Sequence, residues 1–172
     1  VVPHYLAWKS RQLGYEPRMI AVADEINEGM PAHVVALVER ALGSRGKQLA
    51  AARVLLLGIT YKPNVSDTRV SPPMQILSLL VEQGADVSYH DPLASDFAID
   101  GQKFASGVLD DATLAAADCV VITTNHASYD WNYIRRTASL LVDTRNALAG
   151  LPDEPLAQAE VIRLGTPVEN RR

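Results

Sequence analysis

The spacing of apolar residues changes once along the chain, from a helical pattern to a strand-like one. Between Met19 and Leu42, apolar side chains recur mostly every three or four residues, which predicts one long helix with an apolar stripe on one side. A shorter helix is predicted from Tyr5 to Leu13, and the glycines and polar residues from Gly43 to Lys47 end this region. Because an exposed apolar stripe is unfavourable, we expect a second copy of the chain or the following domain to cover it.

From Arg53 onward, short apolar runs alternate with helical segments. The runs have the length and continuous apolar character of strands buried on both faces of a parallel sheet. A helix is predicted from Pro72 to Gln83, with Ser71 as its N-cap and Gly84 as its end. The remaining elements are a short helix from Asp110 to Ala117 and strands at Arg53 to Gly58, Asp86 to His90, Lys103 to Ser106, Cys119 to Thr124, Leu140 to Asp143 and Val161 to Leu164.

This alternation predicts the fold class and the domain organisation. Strands that alternate with helices imply right-handed crossovers, so we expect an α/β fold with a Rossmann-like, doubly wound parallel sheet. This domain is predicted to occupy residues 47–172, preceded by a helical segment at residues 1–46. A length of 172 residues leaves room for one such domain and an appendage.

Composition and charge narrow the class of protein. Apolar residues make up 48% of the chain and charged residues 21%, as in ordinary globular proteins. No window is apolar enough for a membrane span, the first residues do not resemble a signal peptide, and a net charge of −4 argues against a nucleic-acid partner. Cys119 is the only cysteine, which excludes an internal disulfide and favours a cytoplasmic location.

In open parallel sheets, ligands bind beyond the carboxyl ends of the strands. The first of these loops has Gly58 but lacks the other two glycines of the G-x-G-x-x-G turn, so we expect this domain not to hold NAD in the usual way. Asp91 ends the second strand, where NAD folds place a ribose-binding acid, but a turn-capping role is favoured. The four histidines lack metal-ligand spacing, and His126 is predicted to stabilise its loop by hydrogen bonds.

The chain resembles the UDP-glucose/GDP-mannose dehydrogenase family, over essentially its whole length. The most specific match is the long segment GITYKPNVSDTRVSP, whereas the short ones would be weak alone. The start, VPHYLAWKSRQLGY from Val2, is similar to the sequence that follows the family's catalytic cysteine loop. The other matching segments are INEGMP from Ile26, YHDP from Tyr89, TTNH from Thr123 and VDTRN from Val142.

The resemblance implies a reaction. Family members oxidise the C6 alcohol of a nucleotide sugar to a carboxylate in two steps, reducing two NAD molecules, with a cysteine thiolate as covalent catalyst. That cysteine is expected just upstream of Val1, so no complete catalytic apparatus is expected in these 172 residues. Cys119 lies in an apolar run and is predicted to be a buried core residue. Val2 stands where relatives carry an aspartate associated with catalysis, either as a real difference or as an alteration at the chain end.

The resemblance also implies the binding residues. Tyr61 and Lys62 match an aromatic-lysine pair that contacts the UDP-sugar, and Arg145 matches an arginine that contacts its nucleotide part. Arg69 matches an arginine that reaches across the cleft to NAD. Each residue has a structural alternative: Lys62 as a solvated surface charge, Arg145 as a partner of Asp143 or a loop cap, and Arg69 as an ion-pair partner of Asp67.

The expected function is therefore the C-terminal, UDP-sugar-binding part of an NAD-dependent UDP-sugar 6-dehydrogenase, inactive alone. The segments from Pro3 and Ile26 look closest to the branch that handles UDP-N-acetylhexosamines for surface polysaccharides, with UDP-glucose next. Because family members dimerise through the central helical region, a homodimer through residues 1–46 is expected. The alternative function is a free-standing nucleotide-binding or regulatory module without catalytic activity.

Overall fold

A computed structural model describes residues 2–69, 71–99, 101–152 and 158–165, without the side chains of Val2 and Pro3. None of the described helices is both long and apolar enough to cross a membrane. The helices are α1 Val2–Gln12, α2 Arg18–Gly43, α3 Pro72–Glu82, α4 Asp111–Ala116 and α5 Trp131–Thr137. The strands are β1 Arg53–Leu57, β2 Asp86–His90, β3 Asp96–Ile99, β4 Gln102–Ala105, β5 Cys119–Ile122, β6 Leu140–Asp143 and β7 Glu160–Arg163.

Five strands form one parallel sheet in the order β2-β1-β5-β6-β7. All four pairings are parallel and in register, as in Leu57 with His90 and with Ile122. The chain moves from β1 outward to β2 and then back across to β5, so the strand order reverses between β1 and β5. Such a reversal is the topological switch point at which doubly wound sheets form their ligand crevice.

Helices cover both faces of the sheet, which confirms the α/β, doubly wound prediction. On one face, α2 and α3 pack with Val54, Leu56 and Val121 in the larger core. On the other face, Leu114 of α4 and Ile134 of α5 pack against Leu55, Leu57, Val120, Ile122 and Leu141. Each strand contributes side chains to both cores in turn, because successive side chains of a strand point to opposite faces of the sheet.

The long helix α2 has two different halves. From Val34 to Leu42 its apolar stripe is buried against the sheet and α3. The following domain, one of the two expected partners, therefore covers this part of the stripe. In the other half, Met19, Val22 and Ile26 are exposed, and Tyr5 and Trp8 of α1 are exposed beside them. The C-terminal half of α2 thus belongs to the larger core together with the sheet. The domain boundary proposed at residue 46 stays a prediction.

Three local predictions require correction. The strand predicted at Lys103 to Ser106 belongs to a separate antiparallel hairpin, in which β4 pairs with β3, and β3 itself was not predicted. Helix α5 was also missed. Ser71 stands at the N-cap position of α3 but makes no capping hydrogen bond, because its hydroxyl donates to the Ile59 carbonyl at 2.8 Å.

Candidate functional site

Three loops at the carboxyl edge of the sheet carry the candidate residues: the β1 loop (residues 58–69), the β5 loop (123–130) and the β6 loop (144–149). The β1 and β5 loops flank the switch point and are joined there. The backbone N–H groups of Thr123 and Thr124 both donate to the Leu57 carbonyl at 3.0 Å, and the Thr124 hydroxyl donates to the Thr60 carbonyl at 2.7 Å. The β1 and β5 loops are therefore held together at the switch point.

Gly58 permits this close approach. Its φ is +87°, in the left-handed region, and a Cβ added there would lie 2.5 Å from the Thr124 Cβ and carbonyl oxygen. Only glycine fits without displacing a neighbour. In a dinucleotide site, the glycines of this turn let the backbone approach a pyrophosphate, whereas here Gly58 permits the close approach of Thr124.

The Asp91 carboxylate organises the start of the β1 loop. It is buried at the end of β2, and its Oδ2 accepts hydrogen bonds from the N–H groups of Ile59 at 2.7 Å and Thr60 at 3.2 Å. Its Oδ1 accepts from the Leu93 N–H at 2.8 Å, which closes a turn around Pro92. The turn-capping role is thus confirmed, and Asp91 has a second function that sequence reasoning missed, as an anchor for a loop some thirty residues away.

His126 fastens the middle of the β1 loop. Its buried Nε2 lies 3.1 Å from both Thr60 Oγ1 and Asp91 Oδ2, and its Nδ1 accepts from the Asn64 N–H at 3.0 Å. Asn64, whose φ is +61°, accepts in return from the Ala127 N–H at 2.9 Å. The predicted loop-stabilising role of His126 is confirmed. The sequence signal was its position on the loop that follows a buried strand.

Tyr129 closes the back of this network. Its hydroxyl donates to the His90 carbonyl at 2.8 Å and lies 3.2 Å from His90 Nδ1. Burial raises the pKa of Tyr129 and lowers the pKa of His90. Both groups are therefore uncharged near neutral pH, so that the phenol stays a hydrogen-bond donor.

Tyr61 and Lys62 lie at the exposed tip of the β1 loop. The Tyr61 N–H donates to the Asp67 carbonyl at 2.8 Å, which closes the loop, while half of the tyrosine remains exposed. Lys62 Nζ lies 5.5 Å from the centre of the Tyr61 ring, within range of a cation–π interaction. Within the described part of the chain, no carboxylate forms an ion pair with Lys62. Its charge is available to an anionic ligand.

Arg69 has the structural partner that was considered as its alternative. Its Nε and Nη2 each lie 3.0 Å from an oxygen of Asp67, and its N–H donates to the same carboxylate. The guanidinium hydrogen bond holds the pKa of Asp67 down at about 2. Because 86% of the arginine side chain remains exposed, the ion pair does not exclude a further contact. The predicted role toward NAD stays a prediction.

Arg145 lies in the β6 loop, which is organised by the buried Asp143. The carboxylate accepts from the backbone N–H groups of Arg145 at 3.0 Å, Ala147 at 3.1 Å and Leu148 at 3.0 Å. Asp143 therefore pairs with the backbone of Arg145, and no ion pair to the guanidinium occurs among the described residues. The exposed side chain borders an open cleft of about 560 Å³, which is lined by Asp143, Thr144, Arg145, Asn146, Arg163, Leu164 and Gly165.

Arg163 adds a second guanidinium to this cleft, and sequence reasoning missed it. The signal was available, because the residue stands at the carboxyl end of a predicted strand. Cys119 lies elsewhere, at the start of β5 inside the larger core, where it is completely buried. Burial raises the pKa of its thiol to about 12. A buried, protonated thiol is no nucleophile, which confirms Cys119 as a core residue.

Comparisons with known proteins agree with this geometry. Residues 55–150 match the UDP-binding domain of the UDP-glucose/GDP-mannose dehydrogenase family. The chain is 37% identical over 109 residues to a UDP-N-acetyl-D-mannosamine dehydrogenase of Methanococcus maripaludis, covering 63% of this chain and 24% of that protein. It is 37% identical over 95 residues to a UDP-N-acetyl-D-glucosamine 6-dehydrogenase of Pseudomonas aeruginosa, covering 55% and 22%.

Solved structures of relatives superpose on a larger share of the chain than these sequence matches cover. The UDP-D-ManNAc dehydrogenase of Pyrococcus horikoshii superposes with a TM-score of 0.69 at 25% identity, covering 87% of this chain and 34% of that one. A UDP-glucose dehydrogenase of Pyrobaculum islandicum gives a TM-score of 0.65 at 27% identity, covering 93% and 34%. The chain thus spans a quarter to a third of the length of these relatives. It belongs to the UDP-glucose/GDP-mannose dehydrogenase family and contains the family's UDP-binding domain.

Proposed function

We propose that this chain is the UDP-sugar-binding part of an NAD-dependent dehydrogenase that oxidises the C6 alcohol of a UDP-sugar to a carboxylate. UDP-N-acetylhexosamines are the preferred substrates and UDP-glucose the next, in line with the names of the relatives above. The observation that carries the proposal is the pair of exposed cations, Lys62 and Arg145, on two loops of the same sheet edge. Both side chains are free of carboxylate partners within the described residues.

The spacing of the two loops suits a nucleoside diphosphate. Strands β1 and β6 are separated only by β5, so at about 4.8 Å per strand their carboxyl ends lie about 10 Å apart. An extended UDP can meet a cation at each end of such a span. Because the chain carries a net charge of −4, the affinity must come from short charge-assisted hydrogen bonds and not from long-range attraction. Tyr61 adds an aromatic face beside Lys62.

NAD, the proposed cofactor, is expected to contact this domain only at the border of its binding site. NAD supplies the hydride acceptor of the proposed oxidation, but the β1 loop has only the first glycine of the G-x-G-x-x-G turn, and that glycine packs against Thr124. The main NAD site is therefore expected in a part of the enzyme outside these 172 residues. Arg69 is the residue here proposed to reach it, and its exposed guanidinium, held in a fixed orientation by Asp67, is compatible with that role.

A calorimetric titration of the chain with UDP tests the substrate proposal. Each charge-assisted hydrogen bond contributes about 1.5 to 3 kcal/mol, so Lys62→Ala and Arg145→Ala should each weaken binding roughly ten- to a hundredfold. Arg69→Ala is the matched control, since it removes an exposed arginine from the same edge and should leave UDP binding nearly unchanged. Equal affinity for all four proteins would show that the cleft is assigned to the wrong residues.

An activity assay tests the claim that the chain is inactive alone. With Cys119 buried and protonated, we expect no NADH formation from any UDP-sugar. Activity that survives Cys119→Ser would contradict this expectation. Activity that is lost on Cys119→Ser would identify the buried thiol as the nucleophile.

We also propose a cytoplasmic location and a homodimer, and the exposed apolar surface of α1 and the first half of α2 supports the homodimer. Tyr5, Trp8, Met19, Val22 and Ile26 are each more than half exposed, and burying such side chains contributes about 1.5 to 3 kcal/mol each. Light scattering should give twice the mass of one chain. The double variant Met19→Ser, Ile26→Ser should shift it toward one chain, and a monomeric wild type would refute the dimer.

A further inference from the structure

The buried ring of His126 contacts the β1 loop on both sides of Lys62. Nδ1 accepts from the N–H of Asn64, two residues after the lysine, and Nε2 lies 3.1 Å from the hydroxyl of Thr60, two residues before it. The Thr60 hydroxyl in turn lies 3.2 Å from the Lys62 carbonyl, to which it donates. The ring therefore contacts the backbone after the lysine directly, and reaches the carbonyl of the lysine through the Thr60 hydroxyl.

The donors and acceptors of this network are mutually consistent. Because Nδ1 accepts from a backbone N–H, the hydrogen of the neutral ring is on Nε2. The Thr60 hydroxyl uses its single hydrogen for the Lys62 carbonyl, so it can only accept from Nε2, as Asp91 Oδ2 does. The single Nε2 hydrogen is thus shared between Thr60 Oγ1 and Asp91 Oδ2, both at 3.1 Å, and the hydrogen bonds run from ring to hydroxyl to carbonyl.

The other hydrogen bonds of this part of the loop hold Thr60, through Asp91 and Thr124, and Tyr61, through Asp67. On the far side of Lys62, the Asn64 side chain accepts from the Ala127 N–H. Tyr61 is half exposed, Lys62 is exposed, and Asn64 adopts a φ of +61°, so apolar burial contributes little to the loop's shape. A lysine ammonium on four flexible methylenes reaches a ligand reproducibly only if its backbone is fixed.

We propose that His126 is a positioning residue for the nucleotide-sugar site: it holds the β1 loop on both sides of Lys62 and so places the ammonium for the diphosphate. The inference rests on the proposed function. It assigns to the β5 loop a role in UDP affinity, although the histidine itself is fully buried and does not reach the ligand.

Two substitutions separate the two halves of the ring. His126→Asn keeps an acceptor in the place of Nδ1, and His126→Gln keeps a donor in the place of Nε2. In calorimetry of the full chain with UDP, we expect losses of about tenfold for His126→Gln, which frees the Asn64 N–H, and a smaller loss for His126→Asn. His33, exposed on α2, gives the matched control: His33→Gln should bind UDP as the wild type does.

A double-mutant cycle with Lys62→Ala distinguishes positioning from a merely structural role. If His126 acts through the lysine, His126→Gln should weaken UDP binding less than twofold in the Lys62→Ala background. A tenfold loss in both backgrounds, or no loss in either, would overturn the proposal. Failure of the wild-type chain to bind UDP would instead reject the proposed function.

Thr60→Val provides a second route should the histidine variants fail to fold. It removes the hydroxyl that connects the ring to the Lys62 carbonyl while keeping the size of the side chain. We expect a severalfold loss of UDP affinity that disappears in the Lys62→Ala background. An unchanged affinity, or the same loss in both backgrounds, would contradict the inference.

Discussion

The β1 and β6 loops lie at the same sheet edge and each presents one exposed cation, but they are held in opposite ways. The β6 loop is capped from within, by Asp143 bound to N–H groups two to five residues further on. The β1 loop is held by Asp91 and His126, which lie 31 to 66 residues away in sequence. One loop is thus organised locally and the other by the tertiary fold.

The difference determines when each proposed binding residue acquires its position during folding. A local cap forms as soon as its own strand ends, because loop closure over a few residues costs little entropy. The β1 loop takes its shape only after β2 and β5 have paired with β1, since its anchors stand on their ends. The Lys62 side of the proposed site should therefore report on the integrity of the sheet, and the Arg145 side should not.

The largest effect on this comparison of the two loops is expected from Asp91→Ala and Asp143→Ala. Each substitution leaves three backbone N–H groups without their buried carboxylate partner, so each should lower the free energy of unfolding by about 3 to 5 kcal/mol. Hydrogen exchange should differ: Asp91→Ala should expose amides throughout residues 59–64, and Asp143→Ala only those at 145–148. Protection lost over the same residues in both variants would remove the distinction.

A smaller effect is expected from Gly58→Ala, which addresses the join between the β1 and β5 loops. The new Cβ combines a positive φ with a 2.5 Å approach to Thr124, and should cost about 2 to 3 kcal/mol in chemical denaturation. Gly101→Ala is the control, because Gly101 has a φ of +82° but no atom near its Cβ position. It should cost about 1 kcal/mol. Equal losses would mean that the loops are not tightly joined.

Asn64→Gly measures the contact that Asn64 makes with the β5 loop without changing the backbone preference. Glycine adopts the positive φ freely, so the variant removes only the hydrogen bond from the Ala127 N–H and should lose about 1 kcal/mol. Asn146, with a φ of +55° in the β6 loop, provides the control. Asn146→Gly should change stability by less than about 0.5 kcal/mol, and a larger loss there than at Asn64 would contradict the comparison.

The smallest effect concerns the exposed pair of Asp67 and Arg69. The pKa of Asp67 lies at about 2, below its unfolded value of about 3.9, so the pair stabilises the loop above that unfolded value and is lost as the pH falls through about 2. An NMR titration of the carboxyl should show this low midpoint, and Arg69→Ala should raise it. Asp67→Asn should leave thermal stability nearly unchanged, since exposed pairs contribute little.

The contrast between local and tertiary organisation also explains which elements could be predicted from the sequence. Strands β1, β2, β5 and β6 were located to within two residues because buried parallel strands are continuous apolar runs. The hairpin was misassigned although Gly101 lies within an Asp-Gly pair, a hairpin signal. Helix α5 has only seven residues, too few for a clear helical period.

In the candidate site, too, features with a local sequence pattern could be predicted and contacts between distant residues could not. The exposed residues Lys62 and Arg145 were proposed from their motif and their position after a strand, and their binding role stays a prediction. The anchoring bonds of Asp91 and of Thr124 were not, because a hydrogen bond across 30 or more residues leaves no local pattern. Arg69 illustrates the intermediate case, as its partner Asp67 stands two residues away and was named from the sequence.

Helix α2 has a mechanical consequence. Its 26 residues form a rod of about 39 Å, one end of which is embedded in the sheet domain while the other carries the exposed apolar surface. Pro31 stands at the boundary and lacks the N–H that would complete the hydrogen-bond ladder there. Bending costs least at that residue, so a movement of the sheet domain against a fixed outer half would pivot about Pro31 and swing Lys62 and Arg145 together.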